Sequence, residues 1–150
     1  MTAVIQRVSK CALSADGKPY SKIEKGLLIL LGVRDGDTEK DVEVLSSKID
    51  GLRLFTDENG KMNLSVNDIG GEIMVVSNFT LCADVRKGKR PSFTPAAAPN
   101  EADRLYTLFV EALSRSTPVQ TGVFGADMQI DFVNDGPVTL VVNSEDIIKK

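Results

Sequence analysis

Apolar and polar residues alternate over Ala3–Val8 and again over Cys11–Ala15, the period of strands with one face buried. Asp16-Gly17 then marks a hairpin turn into a further strand over Lys18–Ile23. Leu27–Val33 is apolar at every position, as a central strand covered on both faces must be. The period lengthens over Thr38–Leu52, where Val42, Leu45, Ile49 and Leu52 form one stripe of a helix. Asp37 or Thr38 supplies its cap. A strand over Leu52–Thr56 ends near the turn signal Asn59-Gly60, and Gly70-Gly71 precedes a strand over Glu72–Asn78. Asn100 caps a second helix reaching about Ser114, with Ala102, Leu105, Phe109 and Ala112 on its buried face. The last strands, Met128–Asn134 and Val138–Asn143, are joined by Asp135-Gly136-Pro137 as a tight turn.

Strands, a helix, strands, a helix and strands again predict an α+β domain, mostly antiparallel sheet packed against two helices. The chain shows no repeat, low-complexity tract or linker, so residues 1–150 read as a single domain with one core. No apolar run approaches the roughly 20 residues that span a bilayer, and no signal peptide is apparent. Cys11 and Cys82 lie far apart and read as small buried hydrophobes. Together these features predict a cytoplasmic protein with no membrane association.

Composition narrows the chemistry. The chain has no histidine, which removes every nucleophile–histidine triad, and two isolated cysteines cannot supply a zinc site. No cluster of Asp and Glu stands out for a hard cation, so neither a metal nor an organic cofactor is expected. A net charge of −3 leaves nucleic-acid binding to a local patch, and Arg86, Lys87, Lys89 and Arg90 form the only dense one. They sit in a long proline-containing segment, residues 81–99, a loop size that tends to be functional; a solvated surface loop is the plain alternative. Just before it, the apolar run Ile73–Val76 opens into Ser77, Asn78, Phe79 and Thr80. Hydroxyls, an amide and the backbone N–H groups of Phe79 and Thr80 at a strand end can face a developing oxyanion, or can merely satisfy the strand terminus. Thr80 as a nucleophile needs a base, and none is obviously placed.

The stretch Ser77-Asn78-Phe79-Thr80-Leu81, with Arg86-Lys87-Gly88-Lys89-Arg90-Pro91-Ser92-Phe93, resembles the signature of the D-aminoacyl-tRNA deacylases. Met1–Val8, Gly26–Val33, Leu52–Phe55, Gly60–Asn63, Thr121–Met128 and Asn134–Thr139 match in the same order, so the resemblance covers nearly the whole chain. It implies two layers of sheet, barrel-like, with helices on one side. It implies an ester hydrolase that frees D-amino acids from tRNA, and glycine from tRNA(Ala), working as a homodimer with a cross-subunit active site. Ser77, Asn78, Phe79 and Thr80 would be the catalytic group. The family usually carries Gln where this chain has Asn78, an arm shorter by one C–C bond, about 1.5 Å. Thr80 is read in the family both as a nucleophile and as a lesser contributor, the tRNA's terminal 2′-hydroxyl assisting in the second view. With no histidine in the chain, the second view fits better. Gly136-Pro137 would be a cis dipeptide projecting into the partner's site, braced by Arg7 and excluding L side chains by clash. Phe124, Gly125, Ala126, Asp127 and Met128 would line the pocket's other wall, Gly122 and Gly125 permitting close backbone approach; a glycine-rich turn is the plain alternative. Arg86, Lys87, Lys89 and Arg90 would meet tRNA phosphates. A non-catalytic RNA- or DNA-binding module and a general esterase are the rival readings.

Overall fold

The computed structural model describes residues 1–149. Its elements are β1 (Thr2–Ala15), β2 (Lys18–Ile23), β3 (Gly26–Gly32), α1 (Glu39–Asp50), β4 (Phe55–Thr56), β5 (Met62–Leu64), β6 (Glu72–Ser77), a 3₁₀ turn (Phe79–Cys82), α2 (Pro99–Ser114), β7 (Val119–Thr121), β8 (Met128–Asn143) and α3 (Ser144–Ile148). Six strands form one mixed sheet, in the order β2-β1-β3-β6-β7, with β8 pairing β1. The pairs β1–β2, β1–β3 and β1–β8 are antiparallel, whereas β3–β6 and β6–β7 are parallel. The sheet curls toward closure: Ser21 Oγ, on one outer strand, donates to the Thr121 carbonyl on the other at 2.7 Å. The expected α+β class holds, with a short third helix and a two-stranded sheet, β4–β5, added to it.

Alternation explains the layering. On β3, Leu27, Ile29 and Leu31 face the core under the helices, while Leu28 faces a second core inside the curl with Leu30 against it. On β6, Ile73 and Val75 take the helix side and Met74 and Val76 the inner side. This two-sided burial is why both strands are apolar at nearly every position. Helix α1 opens on a reciprocal capping box, Thr38 with Asp41. Tyr106 on α2 donates to the Val75 carbonyl at 2.8 Å and pins that helix to β6.

Four expectations need correction. The first strand is not broken after Val8; β8 pairs along almost all of β1 and holds it as one piece. Helix α2 begins at Pro99 after Ala98, with no side-chain cap from Asn100, because proline's fixed φ and missing N–H suit the first helical position. Its buried face carries Tyr106 and Leu113, and Ala112 is only half-buried. Leu52–Arg53–Leu54 is not strand; only Phe55–Thr56 pairs, across the Asn59-Gly60 turn, which Asp57 Oδ1 holds by accepting from the N–H groups of Asn59 (2.8 Å) and Lys61 (3.0 Å).

The fourth is the most consequential. Asp135-Gly136-Pro137 is not a hairpin turn. The chain runs on in the same direction on both sides of it, Asn134 opposite Val8 and Thr139 opposite Gln6. Residues 135–138 therefore stand out of the ladder opposite Arg7 alone, a large bulge in the middle of the longest strand pair.

Candidate active site

Parallel pairing brings the ends of β3 and β6 together, with Leu31 opposite Ser77. Beyond Ser77 the Asn78 N–H donates to the Leu31 carbonyl at 2.8 Å, and the chain winds into the 3₁₀ turn. That turn rests directly on the end of β3. A Cβ on Gly32 would lie 2.9 Å from Leu81 Cβ and 3.3 Å from the Asn78 carbonyl, so a side chain there would displace it. Phe79 is 56% exposed and meets Phe93 edge-on, ring centroids 5.0 Å apart. Thr80 donates its hydroxyl proton to Asn78 Oδ1. Among the described residues, the backbone N–H groups of Phe79 and Thr80 have no hydrogen-bond partner. Cys82 closes the turn, its thiol donating to the Val33 carbonyl at 3.4 Å, and burial pushes that thiol above its ordinary pKa. It is a protonated packing group and no nucleophile at neutral pH.

The turn forms one wall of a cavity of about 910 Å³. Ser77, Asn78, Phe79 and Thr80 stand on one side, and Phe124, Gly125, Ala126 and Met128 on another. These two segments were singled out separately in the sequence, and the β6–β7 pairing carries them to one place. Asp127, within the second segment, lines it too, and sequence reasoning did not select two other contributors, Phe93 and the small residues Ala96–Ala98. Phe93 was legible as the one aromatic in the loop; the alanines carry no chemistry that would mark them. The floor is apolar, from Leu30, Val76 and Ile130 on the inner face of the sheet.

Arg7, Gly136 and Pro137 do not line this cavity; their bulge lies on β8 and is exposed. Its geometry is well defined. Arg7 Nε donates to the Asp135 carbonyl at 3.1 Å and stands 3.4 Å from the Asp135 carboxylate, while Arg7 Nη1 donates to the Leu54 carbonyl at 2.8 Å. Asn134 Nδ2 closes the base, donating to the Arg7 and Val138 carbonyls, each at 3.0 Å. The Gly136–Pro137 peptide is cis, and Gly136 has φ +132°.

The basic loop is narrowed by an Asp84–Ser92 bridge at its neck. Its four cations are not equivalent. Asp84 accepts from the Arg86 side chain (2.9 and 2.7 Å) and from its backbone N–H (3.0 Å), and these bonds hold the Asp84 carboxyl well below the usual range. Arg86 is thereby neutralised, whereas Lys87, Lys89 and Arg90 have no ion-pair partner among the described residues. No group of three or more Cys, Asp or Glu among those residues is placed to hold a metal ion, and no helix is long and apolar enough to cross a membrane.

Residues 4–143 match the family model for D-Tyr-tRNA(Tyr) deacylase. The chain is 56% identical over 145 residues to the D-aminoacyl-tRNA deacylase of Persephonella marina, covering 97% of this chain and 99% of that protein. It is 51% identical over 147 residues to the D-aminoacyl-tRNA deacylase of a Sulfurihydrogenibium species, covering 98% and 100%. Among solved structures, the c-Myc DNA unwinding element binding protein superposes with a TM-score of 0.90 at 40% identity, over 95% of this chain and 98% of that one. A probable eukaryotic D-amino acid tRNA deacylase superposes with a TM-score of 0.77 at 18% identity, covering 95% and 100%, a likeness of fold.

Proposed function

Because the chain belongs to the D-Tyr-tRNA(Tyr) deacylase family and is a hydrolase of the D-aminoacyl-tRNA ester bond, we propose that its cavity takes the aminoacyl end of the tRNA and works by orientation, electrostatics and exclusion. The observation that carries this reading is the convergence of the 77–80 turn and the 124–128 wall on one cavity, with two free backbone donors at the turn. The N–H groups of Phe79 and Thr80 stabilise the oxyanion that forms when water adds to the ester carbonyl. The bond to the ribose 3′-oxygen then breaks, and that oxygen takes a proton. Thr80 is not the attacking group. Its proton is committed to Asn78 Oδ1, an amide oxygen too weakly basic to remove it, and the chain has no histidine to do so. The neighbouring 2′-hydroxyl of the tRNA assists instead.

Chiral selection belongs to the Gly136-Pro137 bulge of a second copy. We assign a cytoplasmic homodimer in which each bulge closes the partner's cavity. Rigid backbone there leaves room for a D side chain or for glycine and clashes with an L side chain. Two features support this assembly. The bulge is braced by Arg7 and Asn134 yet lies away from the chain's own cavity. Among the described residues β8 pairs only β1, so its second edge is free, with Val133 and Val141 44% and 65% exposed beside the bulge. A hydrolysis assay on D-, L- and glycyl-tRNA tests the reading: the D and glycyl esters are cleaved and the L ester is spared. A nucleic-acid binder cleaves none of them, and a general esterase cleaves all.

The loop cations supply the tRNA contact. Replacing Lys87 and Lys89 together with Ala should weaken tRNA binding and flatten the slope of log affinity against log salt by about 1.5, since each phosphate contact contributes roughly 0.7–0.9. Arg86→Ala should move the slope far less, because Asp84 already holds that charge. Affinities measured across a salt series decide it; equal slopes for all three proteins would make the loop solvated surface.

A further inference from the structure

A buried charge that the cavity chemistry does not use sits at Met1. Its α-ammonium is fully buried, and its side chain belongs to the main core. The ammonium donates to Asp37 Oδ1 and to Ser144 Oγ, each at 2.7 Å, and stands 3.9 Å from Asp41 Oδ1. Ser144, itself buried, donates its hydroxyl to Asp41 Oδ1 at 2.6 Å and its N–H to the Met1 carbonyl at 2.9 Å. Three segments therefore close on one amine: the β3–α1 junction, the first turn of α1 and the start of α3. Among the described residues no lysine or arginine pairs with Asp37 or Asp41, so the ammonium is their counter-charge. We propose that Asp37, Asp41 and Ser144 form a binding site for the chain's own free α-ammonium, which makes N-terminal processing a condition of the fold: Met1 must be unacylated and must be retained.

Each processing error damages this site in its own way. A formyl or acetyl group turns the ammonium into a neutral amide with one N–H, adds atoms where no surface is open, and leaves Asp37 and Asp41, only 11% and 14% exposed, without their cation. Excision moves the amine one residue along β1, about 3.4 Å from its partners, and empties the core position of Met1. Sequence invites that excision, because aminopeptidases remove an initiator methionine that precedes a small residue, and residue 2 is threonine. The fold opposes it: Thr2 pairs with Gly32 and Asn143 in the sheet, and its hydroxyl donates to Asn143 Oδ1 at 2.8 Å. The network also reaches the cavity. Asp37 accepts from the Arg34 N–H at 2.6 Å, the Asp35 N–H donates to the Pro95 carbonyl at 2.9 Å, and the Ala97 N–H donates to the Val33 carbonyl at 3.1 Å. Val33, Ala96 and Ala97 line the cavity, so the amine steadies the segment that carries this wall.

Cys11 makes the test direct. A synthetic thioester of residues 1–10, joined at that thiol to residues 11–150 and refolded, gives the full chain with Met1 free or formylated, and a thioester of residues 2–10 gives the excised chain. The free form should melt with the expressed protein. The formylated form should melt about 5–10 °C lower, as expected for a buried pair broken on one side with some solvent at its carboxylates. The excised form should fall at least as far, because it also loses a core side chain. Asp37→Asn separates charge pairing from crowding: it should cost the free chain about 5 °C and the formylated chain little, since the cation is already gone there. Equal melting of the free and formylated chains, or an equal effect of Asp37→Asn on both, overturns the proposal. Should the formylated chain fail to refold, the unaltered folded protein decides. Methionine aminopeptidase should trim the free peptide of residues 1–10 and leave Met1 on the folded protein, read by intact mass; trimming of both at similar rates overturns the proposal. These readouts are stability and mass, so their failure leaves the deacylase reading standing.

Discussion

Removing one oxygen from the substrate should cost this enzyme far more than removing the hydroxyl of Thr80. D-aminoacyl-tRNA ending in 2′-deoxyadenosine is expected to be cleaved at least about 100-fold more slowly, the lower end of what a positioned proton-transfer group contributes. Thr80→Ala is expected to lose less than about tenfold, the effect of one peripheral hydrogen bond. The asymmetry follows from the site. The Thr80 proton goes to Asn78 Oδ1, the thiol of Cys82 is buried and held protonated, and no histidine exists in the chain. What the turn offers is two unpartnered N–H donors, which act on charge developing at the carbonyl and do not depend on the Thr80 side chain. Single-turnover rates on the two substrates and the two proteins make the comparison. An acyl adduct on Thr80 trapped in mass spectrometry would reverse the assignment.

The contrast between the two halves of the site shows what a chain of this kind discloses before it is folded. The strand β3 was legible because burial on both faces leaves an unbroken apolar run, and α1 because Val42, Leu45 and Ile49 repeat at helical spacing behind the Thr38 cap. Both signals lie within one element. The bulge was misread because Asp-Gly-Pro is a turn signal in any short window, whereas its true conformation depends on β1, more than a hundred residues earlier in the chain, pairing on both sides of it. Arg86 looked like one of four equal cations; only the folded loop sets Asp84 against it.

Gly136→Ala should damage discrimination more than it damages the fold. A Cβ at this position would lie 2.7 Å from the Val138 nitrogen, 2.8 Å from Val138 Cγ2 and 3.3 Å from Arg7 Nη2, and the backbone there sits at φ +132°, which L residues rarely adopt. The bulge must rearrange, at a cost of about 1–3 kcal/mol for an L residue forced into such a conformation. The ladder on either side does not depend on it: Asn134 stays opposite Val8, and Thr139 opposite Gln6. The sheet should therefore survive with a lowered melting temperature. In the proposed dimer that same rearrangement moves the backbone that rejects L side chains. If the strain is relieved at the expense of the clash, the ratio of D to L cleavage should fall by about 10- to 100-fold, the same free energy read as a ratio. Arg7→Ala tests the brace separately. It removes the bonds to Asp135 and Leu54 without touching the cavity, and it should lower the ratio in the same direction. Paired rates on D- and L-aminoacyl-tRNA, with melting curves and sedimentation to give the oligomeric state, are the measurements. A D-to-L ratio unchanged in both variants, or a protein that is monomeric while still discriminating, would take chiral selection away from this bulge.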